Sequence, residues 1–178
     1  EPNMKRKMRL IMINDLVDLI RLQSKNIEHY KQYPIALLFF IMLLLEVPST
    51  FLSERGGSSI ASLLTYNISI AFLFTFIEAI IFVYWFGRIG KKYSFLTFLH
   101  YDVMLTIAAS IPVIGILLFM QSFDSTPWVG IIGFLTATLY VLYMFIANLA
   151  KATSASKKYA FVAIFIVAML QVIPEALL

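Results

Sequence analysis

Five long apolar runs, at 34–52, 60–86, 101–120, 128–150 and 159–178, are separated by short stretches that carry nearly all of the chain's charge. Each is close to the roughly 20 residues that a helix needs to cross a hydrocarbon core of about 30 Å. The runs are continuous, not alternating, so the dyad pattern of a membrane barrel is excluded. The expected fold is therefore all-α, a polytopic membrane bundle of five transmembrane helices covering 34–178. A segment of different character, 1–33, precedes it.

Positive charge alternates between the connecting stretches. Lys5, Arg6, Lys7, Arg9, Arg21, Lys25 and Lys31 precede the first run, and Arg55 alone separates the first from the second. Arg88, Lys91 and Lys92 follow the second run, none follows the third, and Lys151, Lys157 and Lys158 follow the fourth. If each run spans once, thirteen of the fourteen basic residues share one side. The positive-inside rule then puts the N-terminus in the cytoplasm and the C-terminus outside, periplasmic or extracellular, as in a bacterial inner membrane.

Composition narrows the partners. The chain is 61% hydrophobic and 13% charged, with mean hydropathy +0.87, far from an ordinary soluble domain. The net charge of +4 is scattered over three cytoplasmic stretches, which favours anionic membrane lipids over nucleic acid. Lys5, Arg6, Lys7, Arg9, Arg88, Lys91, Lys92, Lys157 and Lys158 are the candidate headgroup or partner contacts. The chain has no cysteine, so disulfides, thiolate metal sites and a cysteine nucleophile are excluded. No metal or cofactor is expected. No cleavable signal peptide is expected either, because the basic N-terminus leads into a charged stretch instead of a short apolar core.

Within 8–27, Leu10, Ile13, Leu16, Val17, Ile20 and Ile27 recur at helical spacing, while Asn14, Asp15, Asp18, Arg21, Lys25 and Glu28 mostly take the other face. This describes an amphipathic helix. Two placements fit it: flat in the interface, or packed on the cytoplasmic end of the bundle. Inside the runs, Gly133 and Ala137 form a small-xxx-small pair that permits close helix approach. Pro112 removes a backbone hydrogen bond from the third run, where a kink is expected.

Glu46, Glu78 and Asp102 place acids within the apolar runs, and Glu175 adds one near the chain's end. Such residues usually face a bundle interior or a water-filled cavity. At about 1.5 Å per residue, Glu46 lies roughly 18 Å and Glu78 roughly 12 Å from the cytoplasmic ends of their runs. On adjacent antiparallel helices the two carboxylates can approach, and one would then hold a proton. Pro48 frees carbonyls that a protonated Glu46 can bond, although Glu46 can also cap or snorkel near the outer end. Glu78 has a simpler role open to it, a hydrogen bond to Asn148, Thr136 or Tyr101. His100 and Asp102 flank Tyr101 where the cytoplasmic loop enters the third run. Residues two apart on a helix do not face each other, so they make no chelating pair.

Recognisable catalytic motifs are missing: there is no Gly-x-Ser-x-Gly elbow, His-Glu-x-x-His helix or phosphate-binding glycine loop. Gly87 to Lys92 holds two glycines and three cations, but without the spacing or preceding strand of a P-loop. The chain is not expected to be an enzyme.

The stretch Trp85-Phe86-Gly87-Arg88-Ile89-Gly90-Lys91-Lys92-Tyr93-Ser94-Phe95-Leu96-Thr97-Phe98-Leu99-His100-Tyr101, followed by Ile111-Pro112, resembles the Yip-one domain family of five-span membrane proteins. The likeness covers roughly 15–175 in span count, loop lengths and orientation. It implies a cytoplasmic N-terminus and no established enzymatic activity. Eukaryotic members are linked to Rab-type GTPases and vesicle trafficking. This chain lacks that branch's long N-terminal region and Asp-Leu-Tyr-Gly-Pro motif, and has His100-Tyr101-Asp102 where Gly-Tyr-Ser is common. It is more similar to the short prokaryotic branch.

Two functions follow as expectations. The first is a non-enzymatic membrane protein that organises lipid or partner proteins, other membrane proteins or a second copy of itself, from its cytoplasmic face. The second is a transporter or channel subunit that passes protons, ions or a small solute along Glu46, Glu78 and Asp102.

Overall fold

The structure, a computed structural model, describes residues 2–53, 60–121 and 127–177, with backbone alone at 2–9, 49–53, 60–61, 121, 127, 129 and 171–177. Six α-helices follow in order: α1 (Pro2–Ile20), α2 (Ile35–Ser53), α3 (Ile60–Gly87), α4 (Phe95–Gln121), α5 (Pro127–Thr153) and α6 (Lys157–Leu177). A 3-10 turn, Ile27–Gln32, joins α1 to α2, and no strand occurs among the described residues. Three stretches are long and apolar enough to cross a membrane: Ser62–Gly87, Phe95–Met120 and Gly130–Thr153. The apolar part of α2, Ile35–Pro48, is shorter.

The helix ends explain the boundaries. A helix leaves its last carbonyls without partners, and three of these helices close by turning one residue left-handed. After α3, Gly90 (φ 78°) lets Gly90 N–H bond Gly87 and Lys91 N–H bond Phe86. The same pair of bonds ends α5 at Ser154 (φ 52°) and α1 at Leu22 (φ 61°). Leucine there sets about 1 kcal/mol or more of backbone strain against the closed carbonyls. At the other ends, Ser94 Oγ accepts from Thr97 N–H (3.2 Å) and Ser156 Oγ from Tyr159 N–H (3.2 Å), the usual serine N-cap. The Ser94 cap starts α4 at Phe95, before the expected 101, so Tyr101 and Asp102 lie inside the helix and not at its entrance.

Among the described residues, burial is concentrated at the helix ends that border the basic stretches. In α4 the stretch from Thr97 to Ala109 is almost continuously buried, and this helix packs on α1, the 3-10 turn, α2, α3 and α5. Phe82, Phe86 and Phe98 form an aromatic core, with ring centroids 5.7 to 6.4 Å apart. Trp85 and Tyr159 join α3 to α6 by reciprocal bonds, each side chain donating to the other's carbonyl (3.2 and 2.5 Å). On α5, Gly133 lets Met120 of α4 approach so closely that a Cβ would overlap its sulfur, and Ala137 is buried one turn on. The small-residue face therefore packs α5 against α4. α4 continues through Pro112 and α2 through Pro48.

α1 meets the bundle differently from the simple amphipathic picture. Its buried residues are Asp15, Leu16 and Leu19, with Met12 partly buried, while Leu10, Ile13 and Val17 are exposed. Apolar side chains thus occupy two faces, and an acid sits in the buried one. Asn148 Nδ2 donates to the Leu19 carbonyl (2.8 Å) and Tyr140 Oη to that of Ile20 (3.1 Å), so α5 satisfies the end of α1. Replacing Asn148 by alanine leaves that buried carbonyl with one donor fewer, at a cost of about 1–3 kcal/mol. Hydrogen exchange is expected to accelerate along 10–22 in Asn148→Ala while the α3 and α4 amides stay protected; unchanged protection of α1 would show that its anchor is elsewhere.

Candidate functional site

Two polar clusters are buried near the end of the bundle that borders the basic stretches, and only one follows from the acids within the apolar runs. The unexpected one centres on Asp15, whose side chain is 0% exposed. Lys25 Nζ reaches Oδ1 (2.5 Å), while His29 Nε2 (2.6 Å) and Tyr33 Oη (2.5 Å) reach Oδ2. Burial alone pushes this carboxyl up; the hydrogen bonds from Lys25, Tyr33 and His29 outweigh it and hold it below the ordinary carboxylate range. The Asp15 bond in turn raises Lys25, and burial first, then Asp15, raises the Tyr33 phenol, so both remain donors. Beside it, Ser24 Oγ lies 3.3 Å from both the Tyr30 and Tyr101 hydroxyls, and Lys25 N–H donates to Tyr30 (3.1 Å). Thr97 Oγ1 donates to Glu28 (3.2 Å).

This arrangement clamps the chain after α1. A carboxylate already satisfied by three donors has little left to offer a substrate, so the cluster's chemistry is that of a fastening. It was legible in one detail of the sequence: Met12, Asp15, Leu16 and Leu19 follow i, i+3, i+4, i+7 spacing, which places an acid in an apolar stripe.

The second cluster pairs α3 with α4. Glu78 (8% exposed) lies nine residues before the end of α3, and Asp102 (1% exposed) seven after the start of α4, about 14 and about 11 Å along antiparallel helices. The two acids therefore meet at one level, and their carboxyl groups interact. Neither Asp102 oxygen meets an N–H or O–H donor among the described residues. Asp102 thus faces Glu78, and Glu46 is partly buried on α2.

The other candidates separate. Asn148 is committed to Leu19 through Nδ2, although its buried Oδ1 meets no donor among the described residues, and Thr136 Oγ1 donates to Ile132 (2.8 Å). Tyr101 turns to Ser24, and His100 Nδ1 contacts the Leu96 carbonyl (2.7 Å), away from Asp102. Arg88 lies over the Trp85 ring (5.4 Å), and Lys157 over that of Tyr143 (5.4 Å). Lys92 and Lys158 are exposed and Lys91 partly so. The side chains of Lys5, Arg6, Lys7, Arg9 and Glu175 lie outside the described residues. No group of three or more acids or histidines able to hold a metal occurs among the described residues.

Compared with known proteins, the chain matches no family model, no curated protein and no solved structure. What the fold defines is a class: an all-helical protein with three helices of membrane-spanning length and apolarity.

The clamp has a definite pH dependence. Because the Asp15 carboxyl is held below its unfolded value, its stabilisation is fully present above about pH 4 and is lost as pH falls through the depressed value. Protease sensitivity of the 20–34 segment is expected to rise only in that acidic range, and to be raised already at neutral pH in Asp15→Asn. The substitution is expected to cost about 2–3 kcal/mol, less than the 3–5 of a fully buried pair because Lys25 reaches solvent. A wild-type-like digestion pattern at neutral pH in Asp15→Asn would remove the clamp from the account.

Proposed function

We propose that the chain is a non-enzymatic integral membrane protein that organises lipid or partner proteins from its cytoplasmic face. In this reading α2 to α6 make five spans of a bacterial inner membrane, with the N-terminus cytoplasmic and the C-terminus outside, as the Yip-one likeness implies. The observation that carries it is the split of α1. One face is fastened to the bundle through Asp15, Leu16 and Leu19, while Leu10, Ile13 and Val17 point away from it. An apolar stripe held outward on a docked helix, preceded by Lys5, Arg6, Lys7 and Arg9, suits contact with the headgroup region or with an apolar partner. Its exposure is not a by-product of loose packing, since the same helix buries its neighbouring residues fully.

A spin label at Ile13 in the full chain, reconstituted in bilayers containing anionic lipid, tests this. Collision with oxygen above that with a water-soluble relaxing agent is expected, and oligomer or partner cross-links at the same site would support the partner arm. A label that behaves as freely water-exposed, without cross-links, overturns the reading.

The transport reading is favoured by one observation, the burial of Glu78 against Asp102 between α3 and α4. In this reading the two acids hold a proton between them and exchange it. Proton flux into proteoliposomes is expected to be abolished by Glu78→Gln and Asp102→Asn if the pair conducts. Absence of flux in the wild type, or equal flux in all three proteins, leaves the pair a packing element between α3 and α4.

A further inference from the structure

The cytoplasmic end of α5 borders a cavity of about 320 Å³. Tyr143, Ala147, Ala150 and Lys151 line it from α5, Lys157 from the start of α6, and Leu22 from beyond the end of α1. The four α5 residues follow i, i+4, i+7, i+8 spacing and so make one wall. That wall is alanine at its centre and cationic at its rim. No acid lines the cavity, whereas both lysines do. Lys157 Nζ is held across the mouth, 3.4 Å from Tyr143 Oη and over its ring, which leaves ammonium hydrogens for another acceptor. The border also includes Ala155, next to the Ser156 cap, so the positive end of the 21-residue α6 adds to the same field.

Above the cavity α5 is exposed on most of its surface, Ile131 and Phe134 included, and one row of its exposed side chains, Trp128, Ile132, Leu135, Leu139 and Tyr143, leads down to the cleft. From Ile132 to Tyr143 it extends about 16 Å, the depth of one leaflet's hydrocarbon. An outward apolar stripe is ordinary for a membrane helix. This one ends in a cationic cleft at the level where headgroups lie.

We infer that the cleft formed by α5, the start of α6 and Leu22 binds the phosphate of an anionic membrane lipid, with one acyl chain along the α5 stripe. Lys151 and Lys157 contact the phosphate, Tyr143 donates to it or to the glycerol, and the alanines leave room for the backbone of the headgroup. The cavity is at the small end of ligand sites, about 300–1,000 Å³, which suits a headgroup and excludes a whole lipid. The inference rests on the reading that the cytoplasmic end of the bundle faces anionic lipid, and names the place where one molecule is held.

Native mass spectrometry of the full chain, titrated in detergent with phosphatidylglycerol or phosphatidylcholine, tests it. The wild type is expected to retain phosphatidylglycerol preferentially. Lys151→Gln with Lys157→Gln is expected to weaken that retention at least fivefold, each single substitution giving part of the loss. Lys91→Gln with Lys92→Gln, an equal change of charge away from the cleft, is expected to change it less than twofold. Unfolding temperature, followed for both double variants, is expected to stay at the wild-type value because all four side chains are at least partly exposed. Equal losses in the two double variants overturn the cleft and leave the general cytoplasmic-face reading standing; no lipid preference in the wild type overturns the cleft and the lipid arm of that reading together. Displacement by millimolar inorganic phosphate overturns the lipid assignment in favour of a soluble phosphate.

Discussion

A backbone in hydrocarbon must satisfy its own hydrogen bonds, and the ends of its helices are where that requirement bites. At the end of the bundle that borders the basic stretches, five helix ends are closed by a specific device. Gly90, Leu22 and Ser154 turn left-handed to bring two N–H groups back onto the preceding carbonyls, and Ser94 and Ser156 cap the helices that follow α3 and α5. Where α1 stops against the bundle, Tyr140 and Asn148 of α5 supply further donors. Among the described residues that end is the most buried, and the aromatic core of Phe82, Phe86 and Phe98 is built there.

The same accounting separates the two acidic sites. Asp15 is removed from water but given three donors, one of them a lysine, and so serves as a fastening between α1 and the turn that leads into α2. Asp102 is equally buried, faces another acid, Glu78, and finds no hydrogen-bond donor for its oxygens among the described residues. Buried polar groups stabilise when every lone pair is met and are costly when one is not. By that measure Asp15 belongs to the architecture, whereas the Glu78–Asp102 contact is retained in spite of its cost.

How much could be read beforehand differs from residue to residue. The long apolar runs declare helices because only one periodicity satisfies twenty buried peptides, and Gly133 announces a close approach because only glycine leaves that space. α4 begins earlier than its apolar run because Ser94 caps it, and a cap lies outside the hydropathy signal. Asp15 looked like one more residue of a polar face; its burial depends on Lys25, His29 and Tyr33 returning over it, which requires the 3-10 turn at Ile27–Gln32. The pairing of Glu78 was equally beyond the local pattern. The antiparallel order of neighbouring runs pointed to Glu46, and how the helices pack decided that it meets Asp102.

The sequence by itself determined that the chain is helical, rich in membrane-length apolar segments, basic mainly in alternate connecting stretches and marked by a few acids out of place. These follow from composition along the chain, where each residue's cost of leaving water acts almost independently of its neighbours. Tertiary structure alone decided which face of α1 is buried, which two acids touch, and that Lys151 and Lys157 border one cleft with Tyr143. Those outcomes depend on the rotation and closeness of whole helices, set by many side chains packing at once, and no single segment carries that information.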